Sequence, residues 1–308
     1  MSDHPFTDRP VPGPRPMLWD EPSPEGVLNP FEGSAEAAGD PGEEALRLLG
    51  MPTTSTTPER RLALMDAPSA DVIGVLDAVG EALTRAIEDD RGWRRRIDRL
   101  SADEQAVLLD ALGEGEVWMA LSGAAPGEGE VQLTETALAG VWVGRAKNDR
   151  DTVEATWIEV ADAPKALREA ATARPRPDIA VEALTAPRDA MNVMSILGEI
   201  RARAAAWRPG APNHVMNFTL FPMTEADTAF LAKTVGEAGV RISSGGYGAA
   251  RVVMTALRNV WAVQYLNGLG AVILDTIEIG DVPDAVLAAR TDFEDSRARL
   301  AEIRDAYL

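Results

Sequence analysis

Cysteine is absent from this 308-residue chain. That excludes disulfides, thiolate zinc sites, cysteine-ligated iron–sulfur clusters and a cysteine nucleophile. Histidine is scarce: His4 and His214 are the two, far apart in sequence. A histidine-rich metal site is therefore excluded, and a Ser-His-Asp triad has only His214 to draw on. No apolar run approaches the ~18 residues that suggest a membrane span. The opening MSDHPFTDRPVPGP lacks the apolar centre of a signal peptide. Arg60-Arg61 stands too far into the chain, with no apolar stretch behind it, to act as an export signal. The expectation is a cytoplasmic protein with no membrane insertion and no cofactor. Positive charge is also in short supply, with 30 Lys and Arg against 49 Asp and Glu, a net charge of −19. Nucleic acid and anionic membrane surfaces repel such a chain, whereas a basic protein partner is favoured.

What the chain does have is a sequence written twice. Thr136 to Pro164 (TALAGVWVGRAKNDRDTVEATWIEVADAP) lies over Thr255 to Pro283 (TALRNVWAVQYLNGLGAVILDTIEIGDVP) without a gap, and eleven of the 29 paired positions are identical. Residue usage alone gives about two matches, at roughly one in fifteen. Residues shared by both copies are candidates for holding the fold, and residues found in one copy are candidates for function. With 45% hydrophobic residues the chain can build a core, and its length suits two domains.

Residues 1–67 hold 11 of the 21 prolines and are rich in Gly, Ser, Thr and acids. They read as a disordered tail or, alternatively, a docking arm that orders on a partner. Residues 68–188 form a first repeat and 189–308 a second. Val72, Ile73, Leu76, Val79, Leu83 and Ile87 follow helical spacing, as do Met194, Leu197, Ile200 and Ala204 within a helix from Met191 to Trp207. Short strands follow at Ile97 to Leu100 and His214 to Leu220. Next come helices with capping-box spacing at Ser101 to Glu104 and Thr224 to Asp227, ending at Gly113 and Gly236. Strands are expected at Glu116 to Leu121 and Val240 to Ser243. Beyond Gly-rich turns come long strands over 131–146 with 152–160, and 250–266 with 271–279. Helices close each repeat after Pro164 and Pro283, the last over about 283–306. Each repeat reads α-β-α-β-β-β-α, an α+β fold of helices on a mostly antiparallel sheet. Whether the two halves share one sheet or pack face to face stays open.

The run Ser243-Ser244-Gly245-Gly246-Tyr247-Gly248 invites a phosphate-loop reading. β-type sequence rather than a helix follows it, so a hairpin or bulge is favoured. Trp142 and Trp261 read as core, and Glu159, Glu278, Asp162 and Asp281 as capping groups beside a helix start. His214 reads as structural. Where the first repeat has Glu128, Gln132, Gly140, Ala146 and Thr156, the second has Tyr247, Arg251, Asn259, Tyr265 and Asp275. Trp118 is replaced by Arg241. Tyr and Arg are frequent interface anchors. No nucleophile, base and oxyanion arrangement emerges, so the chain does not read as an enzyme.

Phe218 to Met223 (FTLFPM), the Gly246-Tyr247-Gly248 turn with Arg251, Asn259 to Asn267 (NVWAVQYLN), Leu274 to Ile279 (LDTIEI) and Asp292 to Ile303 (DFEDSRARLAEI) run in that order. Together they resemble the HupH/HyaF family of nickel–iron hydrogenase expression proteins, over roughly residues 70–306. Members usually carry an Arg-Gly-Tyr-Gly-Asn-Cys-Arg type of turn; here it reads Gly245-Gly246-Tyr247-Gly248-Ala249-Ala250-Arg251, without the first arginine or the cysteine. The resemblance implies a non-catalytic chaperone. It would bind the immature hydrogenase small subunit during iron–sulfur cluster insertion, beside a thioredoxin-like maturation companion. Its expected partner-binding residues are Gly246, Tyr247, Gly248, Arg251, Asn259, Trp261, Tyr265 and Asn267. The alternative is a small-ligand protein or enzyme using a pocket between the two repeats, with Asp275, Glu278 or His214 as its polar groups.

Overall fold

The computed structural model describes residues 69–307, apart from 90, 124–128, 220, 222 and 246–248. The tail over residues 1–67 lies outside the described residues. In chain order the elements are α1 Ala70–Asp89, β1 Trp93–Arg96, α2 Ala102–Leu112, β2 Val117–Ser122, β3 Glu130–Glu135, β4 Val141–Lys147, β5 Val153–Val160 and α3 Lys165–Ala173. The second set is α4 Val193–Ala206, β6 His214–Asn217, α5 Glu225–Val235, β7 Glu237–Ser244, β8 Ala250–Thr255, β9 Val260–Leu266, β10 Val272–Ile279 and α6 Arg290–Tyr307. All ten strands join one sheet in the order β1-β5-β4-β3-β2-β7-β8-β9-β10-β6. Every neighbouring pair is antiparallel. The fold is α+β, and the halves meet edge to edge through β2 and β7.

Local chemistry explains the elements. Ser101 accepts from the Glu104 N–H at 3.3 Å while Glu104 accepts from the Ser101 N–H at 2.8 Å, a closed capping box. Thr224 and Asp227 do the same for α5. Asp227 does more: its Oδ1 also accepts the main-chain N–H groups of Met191, Asn192 and Val193 at 2.8–2.9 Å, so one buried carboxylate caps α4 and α5 together. Gly113 and Gly236 end α2 and α5 at φ 66° and 61°.

Several elements differ from the sequence expectation. The stretches 131–146 and 250–266 are each two strands, so each half has five strands. Thr136 Oγ1 folds back on Leu138, donating to its C=O and accepting its N–H, and Gly140 takes φ 78°. Thr255 makes the same two bonds with Leu257, and Asn259 takes φ 60°. The shared Thr-Ala-Leu is thus a turn, which its apolar flanks disguise. The first short strand is Trp93–Arg96 rather than Ile97 to Leu100. Ile97 buries its side chain just beyond it, and Leu100 N–H closes a turn onto Ile97 C=O at 3.0 Å. β6 stops at Asn217, whose side chain accepts the Thr219 N–H. The last helix begins at Arg290, not 283. Between them Val286 is buried on the sheet, Leu287 is extended, and the Ala288 N–H donates to Asp162 C=O.

Three apolar clusters hold the layers. One sheet face packs α1, α2 and α6 against β4 and β5. At the sheet's other end, α4 and α5 pack against β6, β9 and β10. On the opposite face α3 and Val282–Leu287 cover Met119, Leu121, Trp142, Val240, Ile242 and Trp261, straddling the β2–β7 seam. The chain's last helix therefore belongs to the first half's core: Phe293 lies under Gly140, and Arg304 meets Asp77 at 2.9 Å.

A Cβ at Gly140 would stand 2.3 Å from the Phe293 ring at a left-handed φ. Gly140→Ala is expected to cost about 2–4 kcal/mol. Gly198→Ala, mid-helix with nothing within 4 Å, should stabilise by about 0.5–1 kcal/mol. Urea unfolding of both variants checks the pair.

Candidate functional site

The Gly-rich connection joins β7 to β8, adjacent antiparallel strands, and Ala250 opens a strand rather than a helix. That is a hairpin. Gly246, Tyr247 and Gly248 themselves lie outside the described residues. Asn267 Oδ1 accepts the N–H groups of Leu269 and Ala271, both at 2.9 Å, and shapes the β9–β10 turn; Asn148 does the same for β4–β5. Asn259 holds the left-handed turn position, and its C=O accepts the Gly280 N–H. Trp261 is 2% exposed and packs on the α3 face. Its counterpart Trp142 donates from Nε1 to Ala161 C=O at 2.9 Å.

Tyr265 also lies on the α3 face. Its hydroxyl donates to Glu278 Oε1 at 3.2 Å. Burial, then the Glu278 charge, push the tyrosine up to about 12. Burial also raises the Glu278 carboxyl, opposed by hydrogen bonds from Tyr265 and Asn213. In the first half the corresponding Glu159 faces Arg94 at 3.8 Å and accepts the Lys165 N–H at 2.7 Å, so it caps α3. Register sets Val215 opposite Glu278 where Arg94 stands opposite Glu159, and Tyr265 and Asn213 take over the carboxylate. Asp162 and Asp281 accept the N–H of the next residue and share Arg168 at 2.5 and 3.8 Å. These carboxylates are occupied by the fold. His214 Nε2 sits 3.4 Å from Glu199 on an edge strand. Among the described residues no group of three or more His, Cys, Asp or Glu is placed to hold a metal.

Arg251 points the other way. Side chains alternate along a strand, so the partners of the α3-face core emerge on the opposite face. There, two adjacent rows cross the sheet. One runs Asp275–Gln264–Arg251–Ser243–Trp118–Thr134; the other runs Thr156–Arg145–Gln132–Ala120–Arg241. None of these residues belongs to an apolar cluster, because the helices of this face pack on the outer strands. The result is a polar trough over β3, β2, β7 and β8, bounded by the two helical layers. The halves contribute the same pair in reverse: Gln132 opposite Arg145, and Arg251 opposite Gln264. Sequence comparison flagged Arg251 and Arg241 but not Arg145, Gln264 or the role of Trp118. Finding them requires the strand register, after which the Gln/Arg exchange at a 119-residue offset is visible.

The profile described as "HupH hydrogenase expression protein, C-terminal conserved region" matches residues 99–176 and 190–307. The chain is similar to the hydrogenase expression/formation protein HupH of Rhizobium leguminosarum bv. viciae, 42% identical over 205 residues covering 67% of this chain and 71% of that one. HoxQ of Cupriavidus necator, a protein of the same description, is 37% identical over 252 residues, 82% of this chain and 85% of that one. The hydrogenase-1 operon protein HyaF of Escherichia coli is 31% identical over 269 residues, 85% and 92%. Among solved structures, the hydrogenase expression protein HupH from Thiobacillus denitrificans matches 38% of this chain and 97% of its own, at 28% identity and a TM-score of 0.35.

One further carboxyl titrates near neutrality. Burial, with Asp292 and Glu116 nearby, raises Glu135 to about 7, against a hydrogen bond from the Gly140 N–H. The charged groups acting on it are the acids Asp292 and Glu116, so the shift reads as a cost of the Glu135–Gly140 turn. A raised carboxyl value means stability present below about 4.5 and lost as pH rises towards about 7. Glu135→Gln should therefore match the parent near pH 4.5 and exceed it by about 1–3 kcal/mol at pH 8. Urea midpoints across that range decide it.

Proposed function

The chain belongs to the HupH hydrogenase expression protein family, and from that premise we propose that it is a hydrogenase maturation factor. In detail, it is a non-catalytic chaperone that holds the immature small subunit of a nickel–iron hydrogenase. It holds that client while iron–sulfur clusters are inserted, and releases it before assembly or export. It works in the cytoplasm with a thioredoxin-like companion. The observation that carries this reading is the family match, which covers both halves of the sheet and the closing helix. The relatives' descriptions as hydrogenase expression, formation and operon proteins give it direction.

The geometry supports a binding role. The buried carboxylates Glu159, Glu278 and Asp227 serve caps and cross-strand bonds. The chain has no thiol with which to ligate a cluster, so clusters belong to the client. The docking surface is the β7–β8 hairpin with Gly246, Tyr247, Gly248 and Arg251. Asn259, Trp261, Tyr265 and Asn267 act from behind it, as turn and packing residues of β9 and of the β8–β9 and β9–β10 turns. A net charge of −19 favours a basic client.

Tyr247→Ala combined with Arg251→Ala should weaken capture of purified small-subunit precursor at least tenfold, about 1.4 kcal/mol. The thermal midpoint should move by less than about 2 °C, as for surface substitutions. Titration calorimetry beside a thermal melt separates the cases. Parallel loss of binding and stability would make the pair structural, and failure of the parent chain to bind precursor would end the chaperone reading.

A further inference from the structure

One stretch of this acidic chain is densely basic. Arg91, Arg94, Arg95, Arg96 and Arg99 place five of the 30 Lys and Arg within nine residues, and all five are exposed. Arg94 to Arg96 stand on β1, the last strand at one end of the sheet, paired on one side alone. Arg94 stacks on the Trp157 ring and faces Glu159 at 3.8 Å, Arg95 donates to the Gly74 C=O at 3.2 Å, and Arg96 meets Asp98 at 2.7 Å. Arg91 and Arg99 make no hydrogen bond or ion pair with any described residue. Charges on an edge strand guard a sheet against stray pairing, and Arg94 to Arg96 suffice for that. Arg91 and Arg99 lie beyond the ends of the strand and add nothing to the guard.

A cleft of about 730 Å³ opens beside the run, between Asp71 and Val75 in the first turns of α1 and the stretch Arg95–Leu100. Arg95, Arg96 and Arg99 line it, and of its two acids Asp98 is already taken by Arg96. The described chain begins at Ser69, whose hydroxyl donates to Glu104 Oε1 at 2.6 Å and fixes the point of entry. Whatever precedes Ser69 therefore enters the fold beside this cleft. Residues 20–44, outside the described residues, have the complementary charge: eight Asp and Glu with no Lys, Arg or His. Their prolines at 22, 24, 30 and 41 are poor ladder residues, so the run suits contact through its carboxylates rather than strand addition. The stretch from Glu44 to Ser69 can extend about 80–90 Å, ample to bring the run back to the cleft. Over the rest of the fold acids outnumber bases and repel the run, which leaves the arginine edge as its place. An outside acidic partner would have to displace a competitor tethered at the same spot. Nucleic acid, the other polyanion a basic run attracts, is repelled by the net charge of −19.

We propose that residues 20–44 of the same chain dock on this arginine edge, with their carboxylates on Arg95 and Arg99 in the cleft beside α1. The inference is independent of the client and of the surface that holds it.

The test uses the full chain and reads both sides of the contact. Phenylglyoxal, which attacks accessible guanidinium groups, is applied to the parent and to a variant carrying Glu32→Gln, Glu36→Gln, Asp40→Asn, Glu43→Gln and Glu44→Gln. Neutralising these acids is expected to speed modification of Arg95 and Arg99 at least threefold and to leave Arg188, exposed before α4, unchanged. The chain with Arg99→Lys, which keeps the charge and offers an amine, is then coupled with a carbodiimide in an equal mixture of isotope-labelled and unlabelled protein. Mass spectrometry should find position 99 joined to acids within residues 20–44 of the same chain, at least fivefold less often in about 1 M salt. Unchanged arginine reactivity, or an equal rise at Arg188, would overturn the proposal. So would cross-links confined to Asp71, Asp98 or Asp103, or none at all. Cross-links joining labelled to unlabelled chains would overturn it too, because the occupant would then be a second copy.

Discussion

The pairing of β2 with β7 is the contact from which the rest of the architecture follows. Five registered pairs, Val117 with Ser244 through Leu121 with Val240, convert two five-stranded sets into one ten-stranded sheet. Alone, each set would present an open inner edge, a template for unwanted pairing. Joined, they bring Met119 and Leu121 beside Val240 and Ile242, and α3 closes over both. Arg174, at the end of α3, donates to Ser122 C=O at 2.6 Å and reaches the Ala238 and Gly239 carbonyls, clamping the seam from both sides.

The same seam produces the trough. A sheet ten strands wide is too broad for the two helical groups on one face, which cover the strands of their own halves. The four central strands keep a polar face, flanked by Gln132 opposite Arg145 on one side and Arg251 opposite Gln264 on the other. The chain's buried carboxylates are spent on caps and turns.

Much of the fold is legible in the sequence because local bonds write it. The capping boxes at Ser101 and Thr224, the glycine stops at 113 and 236 and the hairpin after Ser244 need only their neighbours. Most of the misread elements are decided at a distance. Trp93–Arg96 looks like a charged loop until pairing with β5 makes it an edge strand, with Arg94 at 3.8 Å over the Trp157 ring. The break at 136–140 hides between strong β-formers, although Thr136 and Gly140 carried the signal. The divergence of α3 and α6 follows from Phe293 and Leu300 finding the first half's core, which no local pattern announces. Strand register likewise divides the expected site residues between two faces of the sheet. Tyr265 and Arg251, near each other on a hairpin diagram, sit on opposite faces once register is fixed, and Arg145 joins Arg251 from more than a hundred residues away.

The account makes the open sheet face, not the α3 face, the place where a client is held. Hydroxyl-radical footprinting of the full chain with and without small-subunit precursor reads that directly. Trp118 reports from the trough, and Met191, 78% exposed near the start of α4, reports from outside it. The account predicts that complex formation lowers Trp118 oxidation several-fold and leaves Met191 unchanged. A complex that forms while Trp118 oxidation stays the same would contradict it.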